Sequence, residues 1–232
     1  MPVQGQRIVV VGASGVLGSA IAQRLAAGGA IVEGTSSTPD GADRVPAVVK
    51  GRYVVDLEDP SSIANAATAI TAAGGALDGV VIASGIVAFG PIDQTPPEVA
   101  DQLMQVNHLG PASLIAQLLP ALRGSAEAGG SPFVASICGV VAEQVFPGMA
   151  AYTASKTAHS TWLRALQLET RRSRVRVIDA RPGHTETGLA DRAVFGSAPR
   201  MPQGMTPDHV ADVIVAGIDG EATELASSAF AS

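Results

Sequence analysis

RIVVVGASGVLGSAIAQRLAAGG, residues 7–29, decides the fold. Its first six residues are mostly β-branched and close on Gly12, the pattern of a short buried strand. From Val16 onward apolar residues recur at helical spacing and stop at Gly28-Gly29. Gly12, Gly15 and Gly18 occupy the join. Glycine permits a tight turn and lets a ligand approach the backbone closely. The helix start behind the turn presents free N–H groups and a positive dipole end, which suit a pyrophosphate. A lone glycine triplet also fits a plain strand–helix turn. Its place directly after the first strand of an alternating chain favours the dinucleotide reading.

The alternation continues outward from this unit. AIVEGTSS, GRYVVDL, LDGVVIASG, SPFVASI and RVRVIDARPG read as further strands. Helical segments are expected near 60–73, 96–122, 150–172 and 207–219, several opened by a cap or a proline: DPSS at 59–62, TPPE at 95–98 and TPDH at 206–209. Apolar strands separated by helices predict an α/β chain, a doubly wound parallel sheet covered on both faces. The 232 residues suit one such domain, 1–232, with no internal repeat and no long linker. The least regular stretch is GLADRAVFGSAPRMPQGM, 188–205. A loop that long is typically a functional lid or disordered, and 188–205 is taken as a substrate loop.

Composition excludes several classes. Hydrophobic residues make up 47%, yet no apolar run approaches the roughly 20 residues of a membrane helix. The opening MPVQGQRIVVVG lacks a basic region followed by a long apolar stretch, so no secretory signal is expected. One cysteine, Cys138, suits a reducing cytoplasm. A net charge of −6 argues against a nucleic-acid face. No metal is expected.

Chemistry concentrates in ASICGVVAEQVFPGMAAYTASK, 135–156. Tyr152 and Lys156 are four residues apart, hence on one helix face. A tyrosine phenol, with an ordinary pKa of about 10, is a poor base at neutral pH, and a nearby ammonium favours the tyrosinate. Tyr152 is then suited to pass a proton to or from a carbonyl oxygen while hydride moves. Taken alone, such a pair also fits an ordinary amphipathic helix.

Six segments in order resemble the short-chain dehydrogenase/reductase family, from about residue 5 to about 220: GASGVLG; DL at 56–57; IASG at 82–85; FGPIDQTPPEVADQLMQVNHLG at 89–110, leading to Asn107; YTASK at 152–156; and RPGHTET at 181–187. The resemblance implies a Rossmann-like domain that interconverts a carbonyl and an alcohol on a small molecule. It implies catalytic roles for Tyr152, Lys156 and Asn107, with Lys156 also holding the nicotinamide ribose and Asn107 holding a water of the proton relay. Cofactor contacts are implied for Gly12, Ser14, Gly15, Val16, Leu17, Gly18, Ser36, Ser37, Asp56, Leu57, Ala83, Ser84, Gly85, Pro182, Gly183, Thr185 and Thr187, besides Tyr152 and Lys156. A homodimer or homotetramer is implied too, packed through the helices near 96–122 and 150–172, to which Trp162, Leu163 and Leu166 bring apolar surface.

Departures from the family pattern open alternatives. The glycine spacing Gly-x-x-Gly-x-x-Gly is that of extended and atypical branches. Ile82 and Ala83 replace the usual asparagines, and Gly139 stands where the active-site serine is expected. One alternative is a catalytically weak NADP(H)-binding regulatory protein. Another is an epimerase or dehydratase of the extended branch, whose members usually add a substrate domain for which this sequence is short. Ser136, Cys138, His184 or a water are candidates to replace the serine, and His159 is expected to be structural or at an interface. GTSSTPD, 34–40, has no acid where NAD-binding chains place one, and Glu33 comes too early. The hydroxyls of Thr35, Ser36 and Ser37 suit a 2′-phosphate, so NADP is expected, with NAD possible.

Overall fold

The first strand, β1 (Arg7–Val11), is buried along its length, and alternation divides its side chains between two cores. Ile8 and Val10 enter one, Val9 and Val11 the other. The computed structural model describes residues 3–231. Beside β1 run β2 (Ile31–Ser36), β3 (Gly51–Val54), β4 (Gly79–Ile82), β5 (Phe133–Ile137), β6 (Arg176–Ala180) and β7 (Glu224–Leu225). The order is β3-β2-β1-β4-β5-β6-β7, and every pairing is parallel. This is the expected single Rossmann-like domain.

Helices α1 (Val16–Ala27) and α6 (Pro207–Asp219) cover the Ile8 face with Ile21, Leu25, Val210 and Ile214. Helices α2 (Pro60–Ala72), α4 (Gly110–Glu127) and α5 (Ala150–Thr170) cover the Val9 face with Ile63, Leu114, Leu118 and Leu163. Asp59 caps α2 by accepting from the Ser61 amide, and Thr206 caps α6 by accepting from the His209 amide.

Three expectations need correction. The helix expected over 96–122 is α3 (Pro97–Met104), a π-helical turn at Gln105–Leu109, and then α4, which runs on to Glu127. Periodicity read over the whole stretch averages across the inserted residue of a π turn. β7 is absent from the sequence reading. Two residues carry no alternation, and the strand exists because Asp179 and Ala180 pair with Glu224 and Leu225 while the Arg181 guanidinium holds the Glu224 carboxylate at 2.8 Å. Finally, Leu163 and Leu166 belong to the core, 1% and 5% exposed, and are not free for a partner; the exposed leucines are Leu109 and Leu168.

Glu33 lies inside β2 as expected. Arg7 donates to its Oε1 through Nε (3.0 Å) and to its Oε2 through Nη2 (2.8 Å), and the Tyr53 hydroxyl also donates to Oε2 at 3.1 Å. This buried ion pair is unavailable to a ligand. The segment 188–205 holds one short 3-10 turn, Ala190–Arg192. It is tied down where Phe89 N donates to the Phe195 carbonyl (2.9 Å) and where Thr185 bridges Met205.

Candidate active site

Because all strands are parallel, their C-terminal ends share one edge. The chain order reverses between β1 and β4, the switch point where open α/β sheets bind ligands. A cleft of about 860 Å³ opens there.

Its floor is the glycine turn. Gly12 has φ +87, and a Cβ on it would lie 2.9 Å from the Ser84 nitrogen; a Cβ on Gly18 would lie 2.2 Å from the Gly12 carbonyl oxygen. The turn therefore packs directly on the segment after β4, and α1 rides directly on the turn. Gly12 N donates to Thr35 Oγ1 (3.1 Å), which fixes the turn to β2. Gly15 caps α1 without a side-chain acceptor, and no acid occupies the first turn. The first amides of a helix have no intrahelical acceptor, so this end stays open to an anion. Ser14, Gly15, Val16 and Leu17 line the cleft beside Gly12; Gly18 is buried beneath the turn and makes no wall.

Toward β3 the wall holds Thr35, Ser37, Asp56 and Leu57. Ser36 does not join them. It is 1% exposed, and its hydroxyl donates to the Thr38 carbonyl at 2.7 Å. Strand alternation is the reason: Thr35 and Ser37 share a face, and Ser36 takes the other. Ala83, Ser84 and Gly85 form the middle of the wall. Ser84 Oγ is buried without a hydrogen-bond partner, an orphaned polar atom that a polar ligand would satisfy. Together with the open helix start, it fits a dinucleotide.

Tyr152 and Lys156 face the cleft from α5. Lys156 is 6% exposed, and its Nζ donates to the Ile137 carbonyl (2.9 Å). Burial pulls its pKa below the ordinary lysine value, against a smaller opposing influence of Cys138 and Asp179. The expected lowering of Tyr152 does not occur: burial pushes the phenol well above its ordinary value. Desolvation of the phenolate dominates while the ammonium is turned onto β5.

Asn107 sits on the π turn, 1% exposed and off the cleft wall. Its Oδ1 accepts from Ile86 N (2.9 Å), and its Nδ2 donates to the Ile86 carbonyl (2.9 Å) and to Ser155 Oγ (3.0 Å). With both amide hydrogens used, the side chain braces the segment after β4 against α5, and a water at this place would donate to an Asn107 oxygen. Ser136 also points away, bonded to His159 Nε2 at 2.9 Å. His159 lies 3.5 Å from His108 Nδ1 and stacks on Trp162. Burial, then Lys156 and His108, push its pKa down to about 3. Ser136 is therefore no replacement for the serine.

Gly139 lines the cleft with φ +80 and ψ 163, a region that is essentially glycine-only. A Cβ there would have room, its nearest neighbour being the Pro182 carbonyl oxygen at 3.7 Å. The Gly139 and Val140 amides already donate to Ala180 and Pro182 carbonyls (3.2 and 2.8 Å). Cys138 and His184 both line the cleft. Burial, with Asp179 beside it, raises the Cys138 thiol well above its ordinary pKa and keeps it protonated. Pro182, Gly183, Thr185 and Thr187 complete this end.

Wall residues beyond the sequence reading include Val87, Phe89, Val140, Phe146 and Met149. A usable signal existed, since each lies in the segment that follows the end of a central strand.

A family model for short chain dehydrogenases matches residues 6–194. The chain belongs to the short-chain dehydrogenase family. Among family relatives, dehydrogenase/reductase SDR family member 7B of Bos taurus is 30% identical over 221 residues, covering 92% of this chain and 63% of that protein. The chain thus spans under two thirds of that relative's length. Among solved structures, the 3-ketoacyl-(acyl-carrier-protein) reductase of Brucella melitensis complexed with NADH superposes with TM-score 0.86 at 22% identity, covering 97% of this chain and 96% of that one. A short chain dehydrogenase from Burkholderia cenocepacia J2315 in complex with NADP gives TM-score 0.84 at 23% identity, covering 97% and 89%. At these identities the superpositions establish the shared fold. The matched family span ends before β7 and the C-terminal 3-10 turn Ser227–Phe230. No helix among the described residues is long and apolar enough to cross a membrane.

Proposed function

We propose that this short-chain dehydrogenase-family protein interconverts a carbonyl and an alcohol on a small molecule, using NADP(H) and favouring reduction. The observation that carries the reading is convergence: the open glycine turn, the segment Ala83–Gly85 after β4, and the Tyr152–Lys156 pair all line one cleft. The amides behind Gly12 and Gly15 hold the diphosphate; Asp56 and Leu57 meet the adenine; Thr35 and Ser37 meet the adenosine ribose and its phosphate; Ala83–Gly85 flank the middle. Lys156 takes the nicotinamide ribose, and Pro182, Gly183, Thr185 and Thr187 take the nicotinamide. When bound, the cofactor supplies the hydride. Tyr152, protonated at neutral pH, donates the phenolic proton to the carbonyl oxygen. Asn107 positions the wall, and 188–205 serves as the substrate loop. Leu109 on the π turn and Leu168 on α5, 50% and 75% exposed, are the material for a homodimer or homotetramer.

The missing serine lowers the rate. One preorganised donor to a reacting oxygen is worth on the order of 10²–10³. Cys138, a weak donor as a thiol, and His184 are the side chains placed to compensate. A cofactor-binding protein with little turnover is the second reading, favoured by the glycine-only backbone at Gly139. The test is single-turnover oxidation of bound NADPH by a panel of ketones and aldehydes. Tyr152→Phe should remove nearly all turnover and leave NADPH affinity within about twofold, because it deletes only the proton donor. Undiminished turnover in that variant would sink the mechanism. No turnover with any carbonyl would favour the second reading.

A further inference from the structure

We propose that the outer half of the cleft selects an elongated, mainly apolar ketone or aldehyde whose far end carries an anion, a carboxylate or a phosphate, held by Arg192 and Arg200. The inference rests on the reductase reading and assigns the substrate class of the same site.

The wall beyond Tyr152 is apolar. Phe89, Val140, Val141, Phe146, Met149 and Leu189 supply it from three segments that meet at the cleft. Burial against such a surface rewards a hydrocarbon body in proportion to its area. The acids on the cleft wall, Asp56 and Glu58, both follow β3 at the adenine end. Glu186 and Asp191 line an adjoining hollow that shares His184, Ala190, Pro199, Met201 and Pro202 with the cleft. Neither guanidinium group on the wall makes an ion pair, although the Asp191 carboxylate lies near Arg192, its Oδ2 3.8 Å from the Gly188 Cβ position that Arg192 Nη1 approaches to 2.9 Å.

Both arginines come from 188–205. Arg192 folds back over the Thr187–Gly188 turn. Its Nη2 donates to the Thr187 carbonyl (3.3 Å), and its Nη1 lies 2.9 Å from where a Gly188 Cβ would be. Arg200 makes no hydrogen bond or ion pair to any described residue, and neither arginine pairs with an acid. Only Arg7, Arg24 and Arg181 among the described Lys and Arg residues pair with acids, so what marks Arg192 and Arg200 is their place on the wall of an apolar cleft. A guanidinium fork matches carboxylate and phosphate oxygens two at a time. Both side chains are exposed, so their effect is moderate and salt-sensitive.

The test titrates decanoate, decyl phosphate and decanol into the full chain saturated with NADP+, as wild type and as Arg192→Ala/Arg200→Ala. At least one anion should bind about five- to tenfold more tightly than decanol, and the better of the two identifies the carboxylate or the phosphate. The gap should close in the double variant and at 0.5 M salt, with NADPH affinity unchanged. Decanol binding as tightly as both anions, or no binding of any of the three, overturns the inference. Loss of NADPH affinity in the variant also overturns it, by assigning the arginines to the cofactor. A parallel turnover arm compares 9-oxodecanoate with its methyl ester. Anion preference in binding without turnover of either would fail the reductase reading alone. Equal turnover of both, with equal binding of the three probes, would fail this inference alone.

Discussion

Replacing Gly139 by alanine and by serine separates backbone strain from lost chemistry. Gly139 sits at φ +80 and ψ 163, where any Cβ clashes with its own backbone, although the surrounding space is open to 3.7 Å. Holding a non-glycine residue there costs about 1–3 kcal/mol. In a domain of this size each kcal/mol shifts the melting midpoint by about 2–4 °C, so both variants should melt about 2–12 °C lower. Alanine reports the strain alone. Serine adds a hydroxyl where the family's donor is expected, so its single-turnover rate is compared with that of alanine rather than wild type. If nothing else serves as donor, serine should exceed alanine by up to about 10²-fold. If Cys138 or His184 already serves, the two rates should agree. The assays are circular dichroism melting and stopped-flow oxidation of bound NADPH. An alanine variant that melts with wild type refutes the argument, since residue 139 would then not be held in the glycine-only region.

Three further outcomes are expected. Ser37→Asp places a carboxylate on the wall assigned to the 2′-phosphate, so the NADPH-to-NADH affinity ratio should fall by roughly tenfold, about 1.4 kcal/mol, in calorimetric titration; tighter binding of NADH by wild type would overturn the assignment. Between about pH 6.5 and about 3 the unfolded chain takes up a proton that buried His159 refuses, so stability should fall by about 1.4 kcal/mol per pH unit on acidification. His159→Gln should show a shallower decline in urea unfolding at pH 7, 6 and 5, and an equal slope would exclude His159 as the source. Glu33→Ala strands the buried Arg7 guanidinium and should cost about 3–5 kcal/mol, read by urea unfolding, while Arg7→Met/Glu33→Leu should recover most of it.

What could be read in the sequence followed local rules. Val9 and Val11 face one core and Ile8 and Val10 the other, so the unbroken RIVVV run was itself the evidence for a sheet covered on both sides. The Tyr152–Lys156 interval placed both side chains on one helix face, and they share the cleft. What could not be read depended on orientation or on distant partners. Ser36 and Ser37 are adjacent hydroxyls, yet one residue of strand parity buries the first and exposes the second. Ser136 had two possible directions, and His159, 23 residues on, determines which it takes. The position of Asn107 was legible, but not that Ile86 and Ser155 would take both its amide hydrogens. β7 has no signal of its own, because β6 creates it.

Burial of Tyr152 also bears on direction. A tyrosine activated by a facing ammonium would serve equally as acid or base near neutrality. Here desolvation raises the phenol above an already high pKa, and Lys156 directs one of its three ammonium hydrogens to the Ile137 carbonyl. A carbonyl oxygen gaining negative charge therefore meets a ready proton donor. An alcohol entering the same place meets no base until the phenol ionises, which is opposed by the same burial. Reduction should accordingly be flat with pH through neutrality, while oxidation climbs as the solution grows alkaline. Gly139 sharpens the asymmetry. Without a fixed hydroxyl beside the reacting oxygen, the phenolic proton is the main charge-compensating group at that atom, so the chemistry rests more heavily on Tyr152 than it would with serine present. The glycine-only backbone at Gly139 keeps that serine from being restored without strain.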